Sequence, residues 1–294
     1  MKIAVIHDAP IPSPSARQIL IALVKRGVEA SYLRISKITG VVEDSGYILN
    51  YGRKRLSIEG ALVRSIGIIS SVETLMKRID ILREIELSGR PVINSPDSIL
   101  KARDKFTAMQ ILKLRGLRVP PTVVTEDLYL IPEIIKEWGS AVIKPLVGSM
   151  GYGAILVKDP DVGFMIGKAW LTHGQPILIQ KYMRKGQRDI RIIVSGGRVL
   201  GGIYREAVEG VWKTNVAQGA RVRKAEISHE LEEMAIKSTE VLRLKYSGVD
   251  IGETDEGYVI YEVNAMPNWQ GFMEATGINP AESIAELIIR ELKS

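Results

Sequence analysis

The sequence predicts an α/β protein: a small open parallel sheet at the N-terminus, followed by two units that each combine strands with helices. Three observations predict it. Val- and Ile-rich runs alternate with helical patterns over about residues 1–95, as strands joined by crossover helices do. A second set of such runs fills Thr122 to about Tyr182. From Arg188 onward, strands follow one another through short turns, as in an antiparallel meander. With 294 residues, 46% hydrophobic and 25% charged, the chain can bury a real core in one large or two to three small domains. We divide it into units 1–95, 96–184 and 185–294.

Residues 2–7 read as the first strand. Ser13 then caps a helix with Pro14 at its first position; Ala16, Ile19, Leu20, Leu23 and Val24 form its apolar face, and Gly27 closes it. "EASYLRI" is the second strand, and "GALVRSIG" and "RPVINS" are later ones, with a helix over 72–88 between them. Ligands on such sheets bind beyond the strand C-termini, so His7 to Ser13 and Arg64 to Gly67 border the expected cleft. A helical connector follows; Gly116 ends its second helix and Pro120-Pro121 forces an extended exit. "PTVVT", "SAVIKPL", "GAILVKD" and "PILIQKYM" are the strands of the second unit. "DIRIIVSG", "RVLGGIYRE" and "RVRKAEI" begin the third, with a helix from Ser228 to about Leu244. The last helix is capped by Asn279, carries Pro280 at its first position, has Glu282 placed for a capping box and buries Ala281, Ile284, Ala285, Ile288 and Leu292.

Composition excludes several chemistries. Without cysteine there is no disulfide, thiolate zinc site or cysteine nucleophile, and the chain suits a reducing cytoplasm. Its three histidines, His7, His173 and His229, are scattered, which argues against a three-histidine metal site or a Ser-His-Asp triad. The N-terminus reads as a buried strand and not a signal peptide, and no apolar run approaches the about 18 residues that span a bilayer. The net charge of +6 is spread along the chain: a basic solvated surface, or attraction for an anion such as a nucleotide.

The most informative feature is the pair of segments "YSGVDIG" and "VIYEVNAMP". Glu262 and Asn264, two apart on a strand, share a face. A three-residue loop Asp255-Glu256-Gly257 would pair Thr254 with Tyr258 and so set Asp250 opposite Glu262. Two carboxylates and an amide oxygen then converge, which suits a hard cation such as Mg²⁺ completed by phosphates and water. Taken alone, the same hairpin reads equally as one with a polar solvent face.

Other signals are weaker singly. Gly148, Gly151 and Gly153 in "PLVGSMGYGAILV" form a Gly-rich loop behind Lys144, able to crowd backbone N–H groups onto a phosphate or simply to turn a hairpin. It matches neither the Walker A pattern nor the dinucleotide fingerprint. Lys105 alone is a surface lysine. Asp189 and Arg191 share a strand face, as a structural ion pair or as a ribose and phosphate pair. Arg205, Lys213 and Asn215 lie in or beside a turn-rich stretch.

The order of these signals along the chain resembles the ATP-grasp superfamily and, within it, the RimK-like α-L-glutamate ligases. The likeness runs from "INSPDSILKARDKFTAMQIL" to "GFMEATGINPAESIAELI" and is densest in "RDIRIIV", "WKTNVAQGARV", "YSGVDI" and "YEVNAMPNWQGF". It implies an ATP-grasp fold of two α+β lobes behind an N-terminal pre-ATP-grasp domain. Lys105 and Lys144 would contact ATP phosphates, with Gly148, Ser149, Gly151 and Gly153 closing over them. Gln180, Lys181, Tyr182 and Met183 would bind adenine, and Asp189 would sit at the nucleoside. Lys213 and Asn215 would reach the phosphates. Asp250, Glu262 and Asn264 would hold Mg²⁺, with Mn²⁺ as the alternative ion. Arg205 would meet the transferred phosphoryl group or a substrate carboxylate, and Arg64 would belong to the acceptor side.

The implied reaction is amide formation through an acyl phosphate. The partners are a carboxylate acceptor and L-glutamate, and the assembly a homodimer or homotetramer in the cytoplasm, away from membranes. "REAVEGVWKTNVAQGARVRKAEI" and "EVNAMPNWQGF" are most similar to archaeal members acting on a tetrahydromethanopterin-like coenzyme; a protein carboxylate is the other acceptor. Competing readings are a ligase of the same fold in lysine biosynthesis or D-alanyl-D-alanine chemistry, and a non-catalytic nucleotide-binding regulator. Acidic residues at the centre argue against a nucleic-acid backbone as partner.

Overall fold

Strand Lys2–His7 lies at the middle of a parallel sheet, with Glu29–Arg34 on one side and Gly60–Val63, then Val92–Ile93, on the other. The computed structural model describes residues 1–44, 46–67, 71–148, 153–183, 186, 188–207 and 221–293. Helix Pro14–Lys25 starts where expected, the Ser13 hydroxyl accepting from the Ala16 N–H at 3.4 Å. Its buried stripe is Ser15, Ala16, Ile19, Ala22 and Leu23; Val24, expected inside, is 60% exposed, because 3.6-residue spacing carries it past the sheet-facing edge. An antiparallel sheet of Ile38–Glu43, Gly46–Tyr51 and Lys54–Arg55 interrupts the alternation. Sequence reading did not anticipate it.

The middle unit is an antiparallel sheet in the order Ile155–Val157, Ala141–Pro145, Ile177–Lys181, Thr122–Thr125. Ala141, Ile143, Ile177 and Ile179 point to helices Leu130–Trp138 and Pro160–Thr172 and close a core of their own. Alternation then puts Val142, Lys144, Leu178 and Gln180 on the other face. The third unit is ordered Arg221–Ala225, Arg198–Glu206, Arg188–Ser195, Tyr246–Thr254, Gly257–Asn264: the predicted meander forms its first three strands, and the last two return as a hairpin on the other side of Arg188–Ser195. Its apolar face, with Ile190, Ile192, Val249, Ile251 and Val263, joins one core with Ala4, Ile6, Val63 and Ile99 of the first unit and its connector.

The first and third units are also bolted together by polar groups. Asn94, fully buried, donates to the carbonyls of Tyr246 and Ala265 and accepts from the N–H groups of Lys245 and Tyr246. The Trp269 indole donates to Gln18 at 2.6 Å. Helix Pro280–Glu291 packs on Pro14–Lys25, and the expected capping box is not made: the Glu282 carboxylate reaches across to Arg26 instead. A buried carboxamide with four partners leaves all four exposed to a desolvation penalty when it is removed. We therefore expect Asn94→Ala to lower unfolding free energy by about 3 kcal/mol. Denaturant titration measures it, and a change smaller than about 0.5 kcal/mol would mean that the seam does not depend on this side chain.

Candidate functional site

The acidic hairpin forms, with Asp250 paired to Glu262 and Gly248 to Asn264. It gets there by a different register. The turn has two residues, Asp255 and Glu256, and pairs Thr254 with Gly257, not with Tyr258. A bulge then puts the count right: Ile251 faces Ile260, Asp250 faces Glu262, and Tyr261 is the extra residue. The Tyr261 ring lies where a side chain on Gly252 would be, an ideal Cβ there coming 2.2 Å from the ring.

Across this face the sheet carries a chain of alternating charges. Arg191 is directly opposite Asp250, and Asp189 opposite Arg205. Arg191 donates to both Asp250 oxygens, Nε to Oδ1 at 2.7 Å and Nη2 to Oδ2 at 2.6 Å. Arg205 donates to both Asp189 oxygens at 2.7 and 2.8 Å, and its Nη2 lies 3.1 Å from Asp250 Oδ2. Burial alone would push the Asp250 carboxyl up; Arg191 and Arg205 overcome that and hold it below the ordinary carboxylate range. Burial would likewise lower Arg205, and Asp250 and Asp189 hold it firmly protonated. Sequence reading saw Asp189 and Arg191 on one face but paired neither correctly. Each bonds to the adjacent strand, where cross-strand neighbours are closest.

Facing this sheet are the two lysines. Lys144, near the end of its strand, donates to Gln180 Oε1 at 2.8 Å, and Gln180 Nε2 donates to Thr122 at 3.0 Å. Lys105 opens helix Lys105–Leu114, behind the Asp104 cap, and donates to the Gly148 carbonyl at 2.9 Å. Burial pushes the Lys144 ammonium down to about 8, against the pull of Glu262. Burial also lowers Lys105, with Glu262 again opposing and Arg103 assisting. Glu262 thus sits in the field of both lysines, and among the described residues it makes no hydrogen bond or ion pair of its own. The second unit, with its connector helix, and the third therefore supply one site.

The other predicted residues are placed as follows. Gln180, Lys181, Tyr182 and Met183 leave the middle sheet as an extended exit, with the Lys181 and Tyr182 N–H groups donating to Pro121 and Ser140. A cleft of about 510 Å³ runs beside Lys181–Met183, walled by Trp138 and the hairpin tip Thr254–Glu256. Gly148 packs on Pro145, and Gly153 turns with φ +79°. Ser149, Gly151, Lys213 and Asn215 lie outside the described residues. Arg64 is 4% exposed and lies in the seam between first and third units, donating to Tyr246 Oη, Ser15 Oγ and the Pro267 carbonyl and stacking 4.2 Å over Trp269. Arg205 is 3% exposed, and among the described residues its side chain bonds only to the two aspartates. Neither Arg191 as the Asp250 partner nor Arg103 beside Lys105 was singled out from sequence; the arginine spacing two from Asp189 was the available signal for the first.

The donor set fits a hard cation. Among the described residues the Asp250 carboxylate accepts three N–H bonds of the about four it can take, which leaves Oδ1 one lone pair. Glu262 is uncommitted among the described residues, and Asn264 is a half-buried carboxamide whose buried Nδ2 has no partner among them. No trio of His, Cys, Asp or Glu side chains gathers among the described residues, so a metal here would take a carboxamide and outside oxygens. None of the described helices is long and apolar enough to cross a membrane.

Residues 102–288 match the family model of the RimK-like ATP-grasp domain. The chain is 32% identical over 287 residues to the tetrahydromethanopterin:alpha-L-glutamate ligase of Methanosarcina acetivorans, covering 87% of this chain and 88% of that protein. It is 36% identical over 223 residues to the protein of the same name from Methanocaldococcus jannaschii, covering 74% and 76%. Among solved structures it is similar in fold to the ATP-grasp ligase PsnB in complex with a precursor variant, Mg and ADP, at a TM-score of 0.76 and 19% identity over 99% of this chain and 98% of that one.

The depressed Lys144 has a consequence for stability. Its ordinary value is 10.5 and its folded value about 8. Between these the unfolded chain binds more protons, so stability should rise with pH across that window; below it the folded chain bears the full cost of a buried ammonium. In the ligand-free protein, Lys144→Met should flatten this rise. Denaturation midpoints compared at pH 8 and 10 give the test, and parallel profiles for the two proteins would overturn it.

Proposed function

The chain belongs to the family of RimK-like ATP-grasp domains, and from that membership we propose that it is an ATP-dependent ligase joining the amine of L-glutamate to an acceptor carboxylate. The observation that carries this reading is the pairing of Asp250 with Glu262, with Asn264 beside them, in the field of Lys105 and Lys144. Two carboxylates and a carboxamide facing two lysines suit a magnesium triphosphate, whose charge exceeds what either set alone would balance.

The acceptor carboxylate attacks the γ-phosphorus of ATP, the bond to the bridging oxygen breaks, and an acyl phosphate and ADP form. The glutamate amine, losing a proton, attacks the acyl carbon and expels phosphate. Phosphoryl transfer asks the protein for alignment and charge neutralisation more than for covalent chemistry. Lys144 and Lys105 neutralise phosphate oxygens; an arriving phosphate replaces Gln180 as the Lys144 partner and favours the charged ammonium that burial disfavours. Asp250, Glu262 and Asn264 would hold Mg²⁺, or Mn²⁺ in its place, and the ion would supply further neutralisation of the triphosphate. Residues 180–183 hold adenine, largely through backbone, and Asp189 orients the nucleoside. Lys213, Asn215 and the loop of Gly148, Ser149, Gly151 and Gly153 belong to the phosphates.

Two assignments change with placement. Arg205, whose bonds go to Asp189 and Asp250, is a positioning residue that fixes both carboxylates. Arg64 clamps the first unit to the third and shapes the acceptor side without reaching the acceptor. The acceptor itself we take to be a coenzyme, as in the names of the two archaeal relatives. We propose a cytoplasmic location, where ATP is at hand. We keep the three-unit division at 95/96 and 184/185.

ADP release tests the reading. It should require an acceptor and L-glutamate together, with tetrahydromethanopterin as the first acceptor to try. Glu262→Gln should keep its circular dichroism spectrum and lose at least about 10²-fold in kcat, the usual cost of one charge-stabilising group. Wild-type kcat in that variant would sink the metal assignment; ADP release indifferent to every acceptor would sink the ligase.

A further inference from the structure

The C-terminal edge of the parallel sheet holds more positive charge than its acids match. The strands end there in His7 and Arg34, and Arg64 follows Val63. Arg78 reaches in from helix Val72–Leu87, and Arg103 from the end of helix Pro96–Arg103. Arg78 pairs with Asp8 at 3.1 Å and donates to the Ile66 carbonyl. Arg34 Nε donates to the Asp8 carbonyl at 3.3 Å, and Arg103 Nη2 to the Gly67 carbonyl at 3.1 Å. Among the described residues, Asp8 is the one carboxylate in ion-pair range of Arg34, Arg64, Arg78 or Arg103.

The cluster is built, not incidental. Gly67 turns with φ +82°, and a side chain there would strike both Arg78 and Asp8, so the loop sits tightly on the guanidinium groups. Arg103 Nε is buried and, among the described residues, has no acceptor, so one donor of its guanidinium is unspent. Burial, then the nearby Arg78, makes the Arg103 charge costly as it stands. An unpaired buried cation destabilises a fold unless something anionic arrives. The edge is also continuous with the site, since Arg103 ends one helix and Lys105 opens the next, with only Asp104 between them.

We propose that Arg103, with Arg78 and Arg34, is a specificity determinant that binds a second carboxylate on the acceptor. The ligase then favours acceptors carrying an acid beyond the one it amidates. This rests on the ligase reading: the reacting carboxylate lies at Lys105 and Glu262, and the rest of the acceptor runs out over the arginines.

Tetra-L-glutamate and tetra-L-glutamine are suitable probes, titrated calorimetrically into the full chain with MgADP present. The wild type should prefer the glutamate peptide by at least about tenfold. Arg103→Gln and, independently, Arg34→Gln should each abolish most of that preference and leave MgADP affinity within about twofold, and Arg83→Gln, at an exposed pair with Asp97, should change nothing. Arg103→Lys, which keeps charge but not the fork, should restore part of it. No preference in the wild type, or one that survives both glutamine substitutions, overturns the proposal. If MgADP fails to bind while the peptide preference holds, the ligase reading falls and the arginine site stands.

Discussion

Everything at the centre of this molecule depends on two arginines gripping two aspartates on one sheet face. Arg191, Asp250, Arg205 and Asp189 alternate in sign across three neighbouring strands, and nearly all of this network is out of water. Isolated carboxylates in such a place would take up protons. Held by Arg191 and Arg205, Asp250 remains an anion with fixed geometry, and among the described residues its Oδ1 keeps one lone pair free. An oxygen site for a cation can then exist before any cation is bound, with Glu262 and Asn264 completing it from the next strand.

The fold distributes rigidity unevenly. The first and third units share a continuous core and the Asn94 and Arg64 bolts, so the arginine edge and the acidic hairpin move as one body. The middle unit closes its own small core, entered through Pro120-Pro121 and left through Tyr182 and Met183. Lys144 and the stem of the Gly-rich loop ride on that unit. The charges that complete the site are therefore divided between a fixed body and a separately packed one, the arrangement expected where a cleft must admit a large anion and then shut water out.

Much of this was legible in sequence. Alternation gave the parallel sheet, the cap residues Ser13 and Asn279 gave helix starts, and spacing gave Glu262 and Asn264 a common face. What escaped was decided by contacts between distant segments. Val24 was misplaced because a helix stripe fixes which residues cluster, not where the cluster's edge meets its neighbour. Glu282 left its capping box because Arg26, remote in sequence, offered a charged partner. The sheet of residues 38–55 escaped because its strands, with exposed residues such as Val42, carry little of the periodic burial that marks a core strand. The role of Arg103 was invisible because it consists of a missing acid, and a sequence does not display which side chains end without a partner.

The bulged Tyr261 gives the hairpin two independent counts. From the turn to Ile260 the strands keep one register, and from Glu262 onward another. A relative whose turn is one residue longer can thus retain the same ligand spacing simply by lacking the bulge. Tip length becomes free to drift between descendants while the oxygen trio stays put. Change either count alone, and Glu262 with Asn264 would rotate to the opposite side of the ribbon, into the apolar core.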